Sequence, residues 1–130
     1  MIETDYKNGC LLIKRGDKVV KTFTFKEFVS AKQFKPVNKL RNELMQIANG
    51  KKDSTQEQVD KLEKKFYDES TSISLENPIT HEEAMEIMTV AEISKLSEEI
   101  LVFLVNWSSI EAVKQYATSL AETPQKNKLQ

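Results

Sequence analysis

Apolar residues crowd one stretch more densely than any other, residues 96–107 (LSEEILVFLVNW). At about 100° per residue, Ile93, Leu96, Ile100, Phe103, Leu104 and Trp107 share one broad face, and Leu101, Val102 and Val105 continue it around the side. Lys95, Glu98, Glu99 and Asn106 make a narrow polar strip. A helix this apolar must be covered over most of its circumference. It is also too short, and too closely flanked by glutamates, to span a bilayer. It reads as the central helix of a mainly α domain.

The rest of the pattern supplies what covers it. Residues 1–8 show no period and read as a loose start. Two β-prone runs, 10–14 and 18–23, flank Arg15-Gly16-Asp17 and predict a short N-terminal β-hairpin. Thr24-Phe25-Lys26-Glu27 fits a capping box and predicts a short helix with Phe25, Phe28 and Val29 on one face, ending near Phe34. Pro36 disfavours helical geometry at Lys35 and suits the first turn of a new helix. Val37, Leu40, Leu44, Ile47 and Ala48 then form an amphipathic stripe that Gly50 stops.

A second stripe, Val59, Leu62, Phe66 and Tyr67, is supported by Glu57–Lys61 and Asp60–Lys64 at i,i+4. The two stripes predict an antiparallel pair over 36–67, with Leu40, Leu44, Leu62 and Phe66 between the helices. Ser, Thr, Asn and Pro make 68–79 the main loop. Thr80-His81-Glu82-Glu83 opens a helix that should bury Ala84, Ile87 and Met88, and Thr89-Val90-Ala91-Glu92 restarts it. Ser108-Ser109-Ile110-Glu111 fits a further capping box and turns the chain into a last helix carrying Ile110, Val113, Ala117 and Leu120. Pro124 should stop that helix, leaving 124–130 frayed. The expected architecture is one small helical domain of about five helices with a short N-terminal β-hairpin. Its expected parts are 1–35 (hairpin and short helix), 36–67 (helical pair), 68–79 (loop), 80–123 (C-terminal helices) and the tail.

Composition narrows the chemistry. Cys10 is the single cysteine, so no intrachain disulfide or Cys-rich metal site can form, and it reads as a buried small hydrophobe. The start, MIETDYKNG, is acidic where a secretory leader would be basic and then apolar, so the cytoplasm is the expected location. His81 is the one histidine and reads as a surface helix-start residue beside Glu82, Glu83 and Glu86. With three glycines in all, no phosphate-cradling loop is available. No enzyme, cofactor or metal is expected.

Charge is unevenly spread. Residues 1–65 hold 15 Lys and Arg against 9 Asp and Glu, a net of +6, and residues 66–130 hold 4 against 11, a net of −7. Such polarity favours head-to-tail self-association. The basic half, where Lys and Phe interleave over 14–26, also keeps open a second class of function: a small regulatory or nucleic-acid-binding helical protein. Edge lysines on a strand pair account for the same residues more simply.

The order of parts resembles the tail assembly chaperones of long-tailed bacteriophages. A β-prone start leads through TFTFKEF (22–28) into helices, a polar middle follows, and the chain ends in the pair LSEEILVFLVNW–SSIEAVKQYATSLAE. In that family a helix ending in an aromatic residue is followed by a short turn and a final amphipathic helix. Here Phe103 and Trp107 precede Ser108-Ser109-Ile110-Glu111, with serines where the family's turn bears glycine. The resemblance implies a non-enzymatic protein of the host cell cytoplasm that protects the helical tape-measure protein before tail-tube assembly. The expected partner surface is the apolar surplus of the central helix, Leu101, Val102 and Val105, with Trp107 and the adaptable side chains Met85 and Met88.

Overall fold

The computed structural model describes the backbone of residues 1–129 and the side chains of residues 1–121. Three strands, β1 (Ile2–Asp5), β2 (Cys10–Arg15) and β3 (Lys18–Thr24), are followed by five helices: α1 (Ala31–Ala48), α2 (Gln56–Ser74), α3 (His81–Ile87), α4 (Val90–Asn106) and α5 (Ile110–Leu129). The helical majority is as expected. The hairpin, however, is the larger part of a three-stranded antiparallel sheet in the order β1-β2-β3. Residues 1–8 are therefore not a loose start. Ile2 pairs with Ile13 and is buried, but it is the only apolar residue of its strand, so no alternation betrays it. Gly16, at φ +63, makes the β2–β3 turn.

Side-chain alternation gives the sheet its inner face. Leu11, Ile13 and Phe23 are fully buried. They join Leu96, Ile100, Phe103 and Leu104 of α4 in a single core, with Val37, Tyr67, Ala84 and Val113 contributed by the other helices. Phe25 stacks on Phe103 with ring centroids 4.3 Å apart. The central-helix reading of 96–107 holds: its broad face is core, and Leu101 and Val102 are half-buried beside it.

Three expected elements are corrected. The first is the short helix over 25–34. Phe25 instead bridges to Leu75, the Lys26 N–H donates to the Ser74 carbonyl, and the Glu76 N–H donates to the Thr24 carbonyl. Backbone partners from the far end of α2 outcompete the Thr24 capping box, and Phe28 is left exposed. The helix starts later, where Ser30 and Gln33 cap each other reciprocally, and it runs unbroken through Pro36. It ends as expected: Gly50, at φ +73, donates to the Ile47 carbonyl while Lys51 donates to that of Gln46.

The second correction concerns the loop 68–79. α2 continues to Ser74, with Ser70, Thr71 and Ser74 all buried. The Ser70 and Thr71 hydroxyls donate back to the Tyr67 carbonyl at 3.2 and 2.8 Å, so those two satisfy themselves within the helix, whereas the buried Ser74 hydroxyl has no partner among the described residues. The true connection is residues 75–80. The third lies at the C-terminus, where the α5 backbone stays helical past Pro124, so the expected frayed tail is helical as far as Leu129. Its N-cap is Ser109 rather than Ser108, since the Ser109 hydroxyl accepts from the Ala112 N–H at 3.1 Å. Ser108 takes the left-handed turn itself, at φ 57.

Elsewhere the capping boxes at Thr80 and Thr89 form as expected. The second places Glu92 at a junction. Its buried carboxylate accepts from the Thr89 N–H at 3.0 Å and pairs with both the Arg15 guanidinium and the Met1 α-ammonium. Arg15 also donates to the Ile87 carbonyl at 2.9 Å, so the sheet is tied to the α3–α4 corner.

Candidate functional site: an apolar groove between the helical pair and the central helix

The α1–α2 pair is not sealed along its length. Leu40 is buried at 8% exposure, but Leu44, Leu62 and Phe66 are only half-buried. Of the four residues expected between the helices, Leu40 alone is sealed there, and Phe66 is partly buried against the core. Further toward the α1–α2 turn, the inner faces of the pair and the flank of α4 enclose a groove of about 520 Å³. Its walls are Leu44, Met45, Ile47 and Ala48 of α1, Val59 and Phe66 of α2, and Leu101 of α4, with Arg41 and Glu63 as its charged members.

A second cavity of about 420 Å³ shares Leu44, Glu63 and Phe66 with the first. It runs on past Tyr67 and His81 to Met85, Val90 and Ile93. Met45, Met85 and Val90 are exposed, at 47%, 62% and 86%. The two cavities therefore make one apolar groove, divided by a ridge of Leu44 and Phe66. Flexible methionines stand at both ends, side chains that repack readily around varied surfaces.

Tyr67 closes the floor between groove and core. It is 2% exposed, and its hydroxyl has no hydrogen-bond partner among the described residues. Burial pushes its phenol pKa well above the ordinary value. His81 meets its ring edge-on at 5.3 Å and is half-buried rather than a free surface residue. The His81 backbone N–H donates to Asp68 at 2.8 Å.

Two of the six expected partner-site residues, Leu101 and Met85, line this groove. Met88 is core, at 7% exposure, because the restart at Thr89 turns it inward. Ile87, expected to be buried, is 48% exposed at the same corner. Trp107 belongs to an aromatic cluster with Tyr6 and Tyr116, at 5.7 and 5.2 Å. Val102 is half-buried and Val105 is 57% exposed, and neither lines the two cavities. The α1 and α2 walls were missed as binding residues because their stripes read as a closed helix pair.

Cys10 is buried and unpaired, and burial raises its thiol pKa. Among the described residues no group of three or more His, Cys, Asp or Glu side chains could hold a metal ion. No helix there is long and apolar enough to cross a membrane. Compared with protein-family models, with curated proteins and with solved structures, the chain finds no match.

Proposed function

We propose that this chain is a tail assembly chaperone of a long-tailed phage, a non-enzymatic protein that holds an apolar helical segment of the tape-measure protein until the tail tube is built. The observation that carries this reading is the groove between the α1–α2 pair and α4. It leaves Leu44, Met45, Ile47, Val59, Phe66 and Leu101 together at a solvent-open surface. A helix laid in such a groove buries its own anchors at i, i+3 or i+4, and i+7 and covers the chaperone's surplus at the same time. The arrangement of parts in the sequence supports the same reading.

The test is co-expression with a tape-measure protein followed by native mass spectrometry. A soluble complex is expected with the wild-type chain and is lost with Met45→Asp, whose exposed position on α1 leaves folding intact by circular dichroism. A tape-measure protein that is equally soluble without the chain would overturn the proposal.

One observation favours nucleic-acid binding instead. Lys32, Lys35 and Lys39 share the outward face of α1 and make no ion pair among the described residues. Under that reading DNA affinity would fall steeply with salt, because counterion release dominates it. Lys35→Gln with Lys39→Gln would abolish it while leaving client capture unchanged.

A further inference from the structure

The groove is lined mostly by apolar side chains, with His81, Ser94 and Ser97 among the walls of the second cavity, and its two charges, Arg41 and Glu63, stand open rather than paired with each other. Val59, Glu63 and Phe66 fall at i, i+4 and i+7, so a carboxylate stands within the apolar stripe of α2. Glu63 lines both cavities, beside the ridge of Leu44 and Phe66. Arg41 lines only the cavity toward the α1–α2 turn, ahead of Leu44, Met45 and Ala48 on the same face of α1. Seven ion pairs form elsewhere among the described residues. Arg41 and Glu63 take part in none of them, although they face the same groove and carry opposite charge. His81 lies at the far end, where no carboxylate but Glu63 lines the wall.

We infer that the groove's occupant is an amphipathic helix from a partner protein that carries a Lys or Arg between two apolar anchors, to meet Glu63, and an Asp or Glu at the end that meets Arg41. The inference rests on the reading of the groove as a helix-binding site and adds the charge pattern of the helix. The two cavities take one apolar anchor each, and the shared ridge falls between them. A cation at the intervening position reaches Glu63 over that ridge, where the approaching helix has displaced water and strengthened the attraction. The Arg41 contact then sets the direction in which the helix lies. A helix entering the other way round keeps its central cation near Glu63 but carries its acid to the His81 end and leaves Arg41 unmatched, so the Arg41 contact alone separates the two directions.

A displayed library of alanine-based helical peptides tests this. Leucines are fixed at i and i+7, one for each cavity, and the intervening position i+4 and the flanking positions are randomised over Lys, Gln and Glu. Selection is run on wild type, Glu63→Lys, Arg41→Glu and the Met45→Asp control. Glu63 is exposed and unpaired, so the variants are expected to fold, and the isosteric Glu63→Gln serves in parallel. On wild type, Lys should exceed Glu at the intervening position by about tenfold, and this preference should reverse on Glu63→Lys and vanish on Glu63→Gln. On Arg41→Glu the flanking preference should turn from Glu to Lys. Helices enriched without charge preference, or with one unchanged by the swaps, would overturn the inference while leaving the groove as a helix site. No enrichment over Met45→Asp would overturn both.

Discussion

Protonating Glu92 should loosen the junction between sheet and helices, and the size of the effect follows from its surroundings. The side chain is 7% exposed, and burial by itself would raise its carboxyl pKa. Hydrogen bonds from the Met1 α-ammonium, the Thr89 N–H and the Arg15 guanidinium outweigh that, and the group is held at about 2 against an ordinary 4.5. A folded-state pKa below the unfolded one contributes stability that is present above the unfolded value and is lost as pH falls through the folded one. A depression of this size corresponds to about 3 kcal/mol at neutral pH. That is a large share of the ~5–15 kcal/mol that holds a typical domain together.

Urea unfolding of wild type and Glu92→Gln between pH 7 and pH 2 measures it. Glutamine keeps an acceptor for the Thr89 N–H, and Arg15, at 42% exposure, can turn to water, so the variant should fold. The stability gap between the two proteins should hold from pH 7 to pH 5. It should then narrow by about 2 kcal/mol on reaching pH 3 and by about 3 at pH 2. Asp5, Glu43 and Glu82 are also lowered, by hydrogen bonds from Asn8, Lys52 and Lys64, but they are common to both proteins and cancel in the difference. Curves that stay parallel over the whole range would refute the reasoning, because the Glu92 pairs would then contribute nothing that protonation can remove.

Further expectations follow from packing. Gly9 sits at φ +66, and a Cβ there would lie 2.4 Å from Cγ1 of Ile110, so Gly9→Ala should cost about 2 kcal/mol by chemical denaturation. A neutral result would mean that the β1–β2 turn is not locked against α5. Tyr67→Phe removes a buried hydroxyl that has no partner among the described residues and should leave stability unchanged or raise it by about 1 kcal/mol. A loss of that size instead would show that the hydroxyl is bonded. Leu40→Ala should cost ~2–5 kcal/mol, whereas half-buried Leu44→Ala should cost ~1. Equal costs would show that the groove wall is closed core.

The elements that could be read from the sequence are those whose signal is local. The α4 stripe, the Gly50 stop and the Thr80 and Thr89 caps each depend on neighbours within one or two turns. The errors arise where a distant partner decides. β1 exists because β2 offers Ile13 opposite Ile2, and four residues with one apolar side chain cannot announce that. Thr24 and Glu27 match a capping box, yet their segment is claimed by Ser74 and Glu76 from the end of α2. The Ser-rich end of α2 looks like a loop only as long as the hydroxyls are assumed to seek outside partners. Once those of Ser70 and Thr71 bond back to Tyr67, small polar residues can lie buried where the helix runs close to its neighbours.

The groove was half legible for a related reason. Periodicity shows that Leu101, Val102 and Val105 exceed what the central face of α4 needs. It does not show which neighbour approaches them or how closely. The stripe of α1 runs from Val37 to Ala48, and taken alone it looks like one uniform contact surface. Burial along it is graded instead: Val37 and Leu40 are covered, Leu44 and Ile47 half-covered, and Ala48 exposed. One local signal did point to this opening. A carboxylate at residue 63, between Val59 and Phe66, is a poor choice for the seam of a closed helix pair, since a buried unpaired charge is costly. It is tolerable only where the seam opens to water or meets a cation. Glu63 thus marks in the sequence where the α1–α2 pair parts, and in the structure it lines both cavities.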